Sequence, residues 1–281
     1  GRSFNISNTT ASTTPLTGAL TVAGGLGVAG GINSSADATI NGIRVGRGSG
    51  NSSLNLLVGT NSLSSNTVGT QNIVIGNYAL TINTSGSANL ALGSNSLYCN
   101  RTGSFNSAIG ESASFNNTTG SGNTAYGAEA LHSNTTGENN TAVGPTAGVG
   151  IGTGSQNTFI GYSAGGFLAD GDTYLSNAEN SIYIGANSRG FSNADNNSIV
   201  IGAEAIGEGA NTTVIGNSLT NKTHLFGQNT LTNAAWKTNP AVVPSAANSD
   251  AEALVVEGHT RLRGKVILEQ AQGDISMGIY Q

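Results

Sequence analysis

A period of 17 residues limits what this chain can fold into more than any other feature. The phrase apolar-apolar-Gly recurs as LVG, VIG, ALG, AIG, AYG, AVG and FIG, ending at Gly59, Gly76, Gly93, Gly110, Gly127, Gly144 and Gly161, every step being 17. It returns at Gly185, Gly202 and Gly216, with steps of 24, 17 and 14. Three further ladders keep the same time. Asparagine stands four before each of the first seven glycines, at Asn55, Asn72, Asn89, Asn106, Asn123, Asn140 and Asn157. A second glycine stands ten after, at Gly69, Gly86, Gly103, Gly120, Gly137, Gly154 and Gly171. A small residue stands three after, at Ser62, Ala79, Ser96, Ala113, Ala130, Ala147 and Ala164. Four coincident ladders mark a true internal repeat, the feature to be read before any other.

Each repeated residue type has a physical job. Glycine serves where the backbone turns with positive φ or passes close to another backbone. Asparagine tolerates the left-handed conformation and hydrogen-bonds nearby backbone. Stacked coil on coil, such asparagines form an amide ladder. The small residue suits a narrow interior that a leucine overfills. A repeat this short cannot hold the helix pair of a helical solenoid and suits one β-coil of two short strands. The expected fold is all-β: a parallel β-solenoid of about ten coils, a rod of roughly 50 Å at ~4.8 Å per coil.

Two adjacent columns bear on assembly. The residue before each glycine is apolar in every copy: Val58, Ile75, Leu92, Ile109, Tyr126, Val143, Ile160, Ile184, Ile201 and Ile215. So is the one before that, from Leu57, Val74 and Ala91 through to Phe159, Tyr183, Val200 and Val214. Successive strand residues face opposite ways, so a solvated outer face shows polar residues at one of them. Both faces therefore read as buried, one inside the coil and one against another copy of the chain. The expectation is an obligate homo-oligomer, taken as a homotrimer, although the number three does not follow from the pattern itself.

Composition narrows the function. Only 9% of residues are charged and the net charge is -5, with no basic stripe, which argues against nucleic acid and anionic membranes as partners. No apolar run approaches the ~18 residues of a membrane span, and the first residues lack the pattern of a signal peptide. The single cysteine, Cys99, excludes an intrachain disulfide framework. Sequons such as those at Asn83, Asn117 and Asn134 are expected by chance in a chain so rich in Asn and Thr.

The last three copies, NSIYIGANS, NSIVIGAEA and NTTVIGNS, resemble the repeats in the head domains of trimeric autotransporter adhesins. The 17-residue copies, such as GENNTAVGPTAG and GSGNTAYGAEALHSNTTG, are similar to arrays in phage tail fibres and other virion fibres. The resemblance implies an intertwined homotrimeric left-handed parallel β-roll flanked by short-strand β segments. It also implies a structural, non-enzymatic role: a virion tail-fibre segment attached to other tail or fibre proteins and to a host surface glycan or outer-membrane receptor. The chain shows neither a heptad stalk nor a membrane-anchor barrel, which favours the virion fibre over the alternative, a bacterial surface adhesin head.

Three regions are expected: a Gly-rich β connector over 1–50, the β-roll over 51–220, and a strand-rich neck or tip over 221–281. The connector carries one clear alternation from Ala38 to Val45, and the last region contains Leu254–Val256 and Thr260–Leu268 as strand candidates. Chemical motifs are few. Gly161-Tyr162-Ser163-Ala164-Gly165 matches a nucleophile elbow but sits on ladder positions with no helix pattern after it. Gly25-Leu26-Gly27-Val28-Ala29-Gly30 matches a dinucleotide fingerprint and likewise lacks its helix. His132, His224 and His259 share no metal-ligand spacing. No cofactor or metal is expected.

The longer step between Gly161 and Gly185 holds the one candidate binding loop. There Phe167 and Tyr174 suit stacking on a sugar, and Asp170 with Asp172 suits a calcium ion. A packed elbow between two coil types is the competing expectation. An ice-binding array is a further alternative, built on Thr84-Ser85, Thr118-Thr119 and Thr135-Thr136 and broken at Val68, Arg101 and Gly152.

Overall fold

The computed structural model describes residues 37–50 and 54–220. The chain divides into two compact units, Gly1–Thr223 and His224–Gln281. The second unit lies outside the described residues, as do the fingerprint at 25–30 and the strand candidates after residue 220.

Ten three- or four-residue strands stack in parallel, one for each apolar-apolar-Gly phrase. They are β3 (Leu56–Gly59), β4 (Ile73–Ile75), β5 (Leu90–Leu92), β6 (Ser107–Ile109), β7 (Thr124–Tyr126), β8 (Thr141–Val143), β9 (Thr158–Ile160), β10 (Ile182–Ile184), β11 (Ile199–Ile201) and β12 (Thr213–Ile215). The register keeps the repeat in step: Val74 pairs Ala91, Ala91 pairs Ala108, and Phe159 pairs Tyr183 across the longer step. The fold is the expected parallel β-solenoid, with no helix among the described residues. One expectation fails. Each coil carries one strand rather than two; the return path is a chain of turns whose amides bond the next coil, as Leu80 does to the Ser96 carbonyl.

Positive φ explains why the return path is not a strand. Each of the six 17-residue coils between Gly59 and Gly161 has corner residues in the left-handed region, at the second and fourth places after its glycine and five before the next; the coil from Gly185 to Gly202 keeps the first and last of these, at Asn187 and Asn197. Tyr78 (φ 56) and Leu80 (φ 49) are two such corners, and Ala88 (φ 56) is the third. Four leucines, at 63, 80, 97 and 131, hold φ of 45–51 and are fully buried. Their burial offsets a conformation that costs a non-glycine residue about 1–2 kcal/mol.

The core is narrow and its volumes compensate. In β5 to β8 the inward residue is alanine, and the buried corner four places after the glycine that opens the same coil is Leu80, Leu97, Ser114 and Leu131 in turn, a leucine in three of the four. In β9 and β10 it is Phe159 and Tyr183, stacked with centroids 5.6 Å apart. Glycine then replaces leucine: a Cβ on Gly148 would lie 2.7 Å from Phe159 Cδ2, and one on Gly165 would lie 2.2 Å from Cδ1.

Two asparagine ladders hold the coils together. In the first, each Oδ1 accepts the backbone N–H of the next ladder residue, from Asn55 to Asn72 at 2.9 Å and onward to Asn140 and Asn157 at 3.0 Å. The second runs through Asn66, Asn83, Asn100, Asn117 and Asn134, whose side-chain amides donate to the preceding Oδ1 at 2.8–3.0 Å. Both ladders converge on the second glycine of the coil: Asn72 and Asn83 each donate to the Gly86 carbonyl at 3.0 Å. No side chain fits there, since a Cβ on Gly86 would lie 2.3 Å from the Gly103 oxygen. Ile151 ends the second ladder and leaves Asn134 Oδ1 buried without a partner.

After the long step the first ladder continues with serine. Ser181 N–H donates to Asn157 Oδ1, and Ser198 N–H donates to Ser181 Oγ, both at 3.0 Å. The asparagines five before the later glycines, Asn180, Asn197 and Asn211, are left-handed corners with φ 53–61 rather than displaced ladder members. Gly171 is likewise not on the glycine ladder: it belongs to the turn of the insert, and the Ala178 carbonyl accepts the Asn157 amide in its stead.

At the N-terminal side the alternation from Ala38 to Val45 is a hairpin, not one strand. β1 (Ala38–Ile40) and β2 (Ile43–Gly46) pair antiparallel across Asn41-Gly42, whose φ of 50 and 80 suit a two-residue hairpin turn. β2 then pairs antiparallel with β3 and covers that edge of the stack. Asp37 secures the hairpin with a 3.4 Å ion pair to Arg44 and by accepting the Arg47 and Gly48 amides.

Candidate functional site

Two surfaces stand out. The first is the outward face of the ten-stranded stack. The residue two before each glycine points inward, and from Leu57 to Val200 that column is at most 1% exposed. The neighbouring column points out, as strand alternation requires. In a single chain Tyr126 is 53% exposed, Ile215 48%, Val143 and Ile160 41%. A second outward column is apolar at Leu56, Ile73 and Leu90 and again at Ile182 and Ile199, and hydroxylic between them at Ser107, Thr124, Thr141 and Thr158 and at its last member, Thr213. The apolar residue before each glycine thus joins its counterparts in a continuous stripe on the outside of the coil.

The second surface is the insert. Its residues form a hairpin in which Phe167 pairs antiparallel with Tyr174, their rings stacked at 5.1 Å and 22°. Leu168 packs against the core and Leu175 is fully buried, so the loop is anchored at its base. Asp170 closes the turn: Oδ1 accepts the Asp172 and Thr173 amides at 3.0 and 2.9 Å, and Oδ2 accepts the Thr173 hydroxyl at 2.6 Å. These bonds, the hydroxyl first, hold its carboxyl below the usual carboxylate range, with a smaller contribution from Arg189. The four sequence-predicted residues are therefore brought together, but Asp170 spends its oxygens on the turn. No group of three or more His, Cys, Asp or Glu side chains that suits a metal ion occurs among the described residues.

The remaining candidates fall on structural positions. Ser163 is a left-handed corner with φ 52 and 5% exposure, on a turn instead of between strand and helix. His132 ends a column of stacked rings, 5.3 Å from Phe115, which lies 5.1 Å from Tyr98. Burial pushes the Cys99 thiol up, against the opposing charge of Arg101, and burial with the nearby Asp195 charge raises the Tyr183 phenol. The sequon asparagines Asn83, Asn117 and Asn134 are fully buried members of the second ladder, so their recurrence is structural. Of the Thr pairs, the second member is the exposed one. Ser85, Thr102, Thr119, Thr136 and Thr153 form an outward column, while the hydroxyls of Thr84, Thr118 and Thr135 bond the next coil's carbonyls.

Comparison with protein-family models, with curated proteins and with solved structures finds no match.

Proposed function

We propose that the chain is a structural segment of a virion fibre, of the phage tail-fibre kind, which assembles as a homotrimer and attaches to a host-cell surface. The supporting observation is the outward apolar column, one residue on each of ten strands. It runs for the whole stack, on a face that water covers in a single chain, and such patches mark interaction surfaces. A second copy has the same axial spacing and meets the stripe strand by strand; three copies around one axis leave no stripe uncovered. Rigid coils joined by amide ladders then display the insert in three copies, so that weak contacts to a glycan or outer-membrane receptor add as avidity. Other tail or fibre proteins are the partners at its ends.

A bacterial surface adhesin head is the alternative with the same assembly, and the neighbouring genes separate the two. An ice-binding face needs a flat array of free hydroxyls. Here the column beside Thr102 and Thr119 is already engaged, since Ser104 and Ser121 Oγ accept backbone amides at 3.0 and 3.1 Å. Gold-labelled antibody to the chain should decorate fibres on intact particles, and the free chain should compete with particles for adsorption to host cells. Unlabelled fibres and unchanged adsorption would refute the proposal.

A further inference from the structure

The insert is tied to the two following coils by a short run of isolated β-bridges that the spacing of residues does not reveal. Besides the Phe167–Tyr174 pair, Leu168 pairs parallel with Gly190 and Arg189 pairs parallel with Ile206. The Gly190 amide donates to the Phe167 carbonyl at 3.0 Å and the Gly207 amide to the Arg189 carbonyl at 2.9 Å. Residues at one height on neighbouring strands share a face. Leu168 faces the core, so Tyr174, Phe167, Arg189 and Ile206 form one outward row, roughly 14 Å long at the usual strand spacing. Tyr174 is 51% and Ile206 41% exposed.

Arg189 sits in the middle of this row with its guanidinium uncommitted: among the described residues it makes no ion pair or side-chain hydrogen bond. It lies over the insert's turn, where a Cβ on Gly171 would be 3.2 Å from its Nη1. The charge it feels is that of Asp170, whose oxygens are already taken by Asp172 and Thr173. A planar fork of free donors over the turn that the aromatic pair closes matches a carboxylate attached to an apolar ring face. We propose that the row Tyr174–Phe167–Arg189–Ile206 binds a carboxylate-bearing pyranose, with Arg189 selecting the acid and the stacked rings holding the sugar. This deepens the proposed attachment role and rests on it. It also adds to the loop a residue from the next coil.

The test uses the 281-residue chain and a pair of ligands that differ only at one carbon, methyl β-glucuronide and methyl β-glucoside, followed by saturation-transfer NMR titration. The glucuronide should bind about tenfold more tightly. Arg189→Met keeps the apolar stem that a merely packing arginine would need; it should abolish the preference without moving the thermal midpoint. Tyr174→Ala should weaken both ligands alike. Equal affinities in the native chain, no binding of either ligand at tens of millimolar, or a preference that survives Arg189→Met overturns the proposal. Because no cells are used, glucuronide binding without host adsorption defeats the attachment reading alone. A chain that adsorbs to host cells yet shows no preference for the glucuronide defeats this inference alone.

Discussion

The exchange of leucine for glycine opposite Phe159 gives a quantitative test of how the core is built. Phe159 is fully buried, stacks on Tyr183, and occupies the space that Leu80, Leu97 and Leu131 fill in earlier coils. Phe159→Ala should cost about 3–5 kcal/mol, because the rigid amide ladders on either side limit collapse into the void. Gly148→Leu alone drives a Cβ to 2.7 Å from Cδ2 and 3.0 Å from Cε2 of Phe159. With the left-handed backbone at φ 58, overpacking there should cost about 2–4 kcal/mol. Combined, the two changes recreate the Leu131–Ala142 arrangement of the preceding coil. The double variant should therefore lose only about 2 kcal/mol, a coupling of roughly 3 kcal/mol or more between residues in contact. Urea denaturation followed by circular dichroism measures all four corners of the cycle. Additive losses would show that the Leu/Ala and Gly/Phe pairings are coincidence and would refute the volume argument.

Three other outcomes concern the ladders, corners and insert. Asn106→Ala removes the donor to the Gly120 carbonyl (2.9 Å) and strands the buried Asn123 N–H it accepts at 3.0 Å; the loss should be about 2–4 kcal/mol by urea midpoint. Asn106→Ser should recover part of it as Ser181 does, and an alanine variant as stable as native sinks the ladder account. Ala88→Gly relieves a corner at φ 56 whose counterpart one coil on is Phe105 and two coils on is Gly122, so it should stabilise by about 0.5 kcal/mol; a lower midpoint contradicts this. Because the folded Asp170 carboxyl is depressed, the turn's stabilisation is present above the ordinary carboxylate range and lost as pH falls through the lower folded value. The Thr173 amide shift should report that midpoint, an ordinary Asp midpoint would count against it, and Asp170→Asn should erase the transition.

Much of the fold is legible in the sequence because a solenoid repeats its reasons. The inward column, the small residues three after each glycine and the first asparagine ladder are each forced at every coil, so spacing alone exposes them. The second ladder is equally periodic, yet Asn83, Asn117 and Asn134 pass for chance sequons because their neighbours are the threonines that bond the next coil. Leu63 and Leu80 at positive φ cannot be foreseen, since local preference disfavours them and only the closed core repays it. The same holds for Gly171, which matches the ladder by spacing and not by place. Arg189 is invisible for a different reason: it joins the Phe167–Tyr174 row because its own coil pairs in parallel with the insert, Gly190 with Leu168, a contact that no local pattern encodes.

The proposed assembly requires that other copies of the chain cover the outward stripe from Val58 to Ile215. Sedimentation equilibrium at micromolar concentration measures this directly. The 28.0 kDa chain should run at three times its mass, and Ile109→Lys with Ile160→Lys, two outward positions, should return it to one chain without loss of the β spectrum. A native chain that sediments as a stable single copy with that spectrum intact would contradict the account.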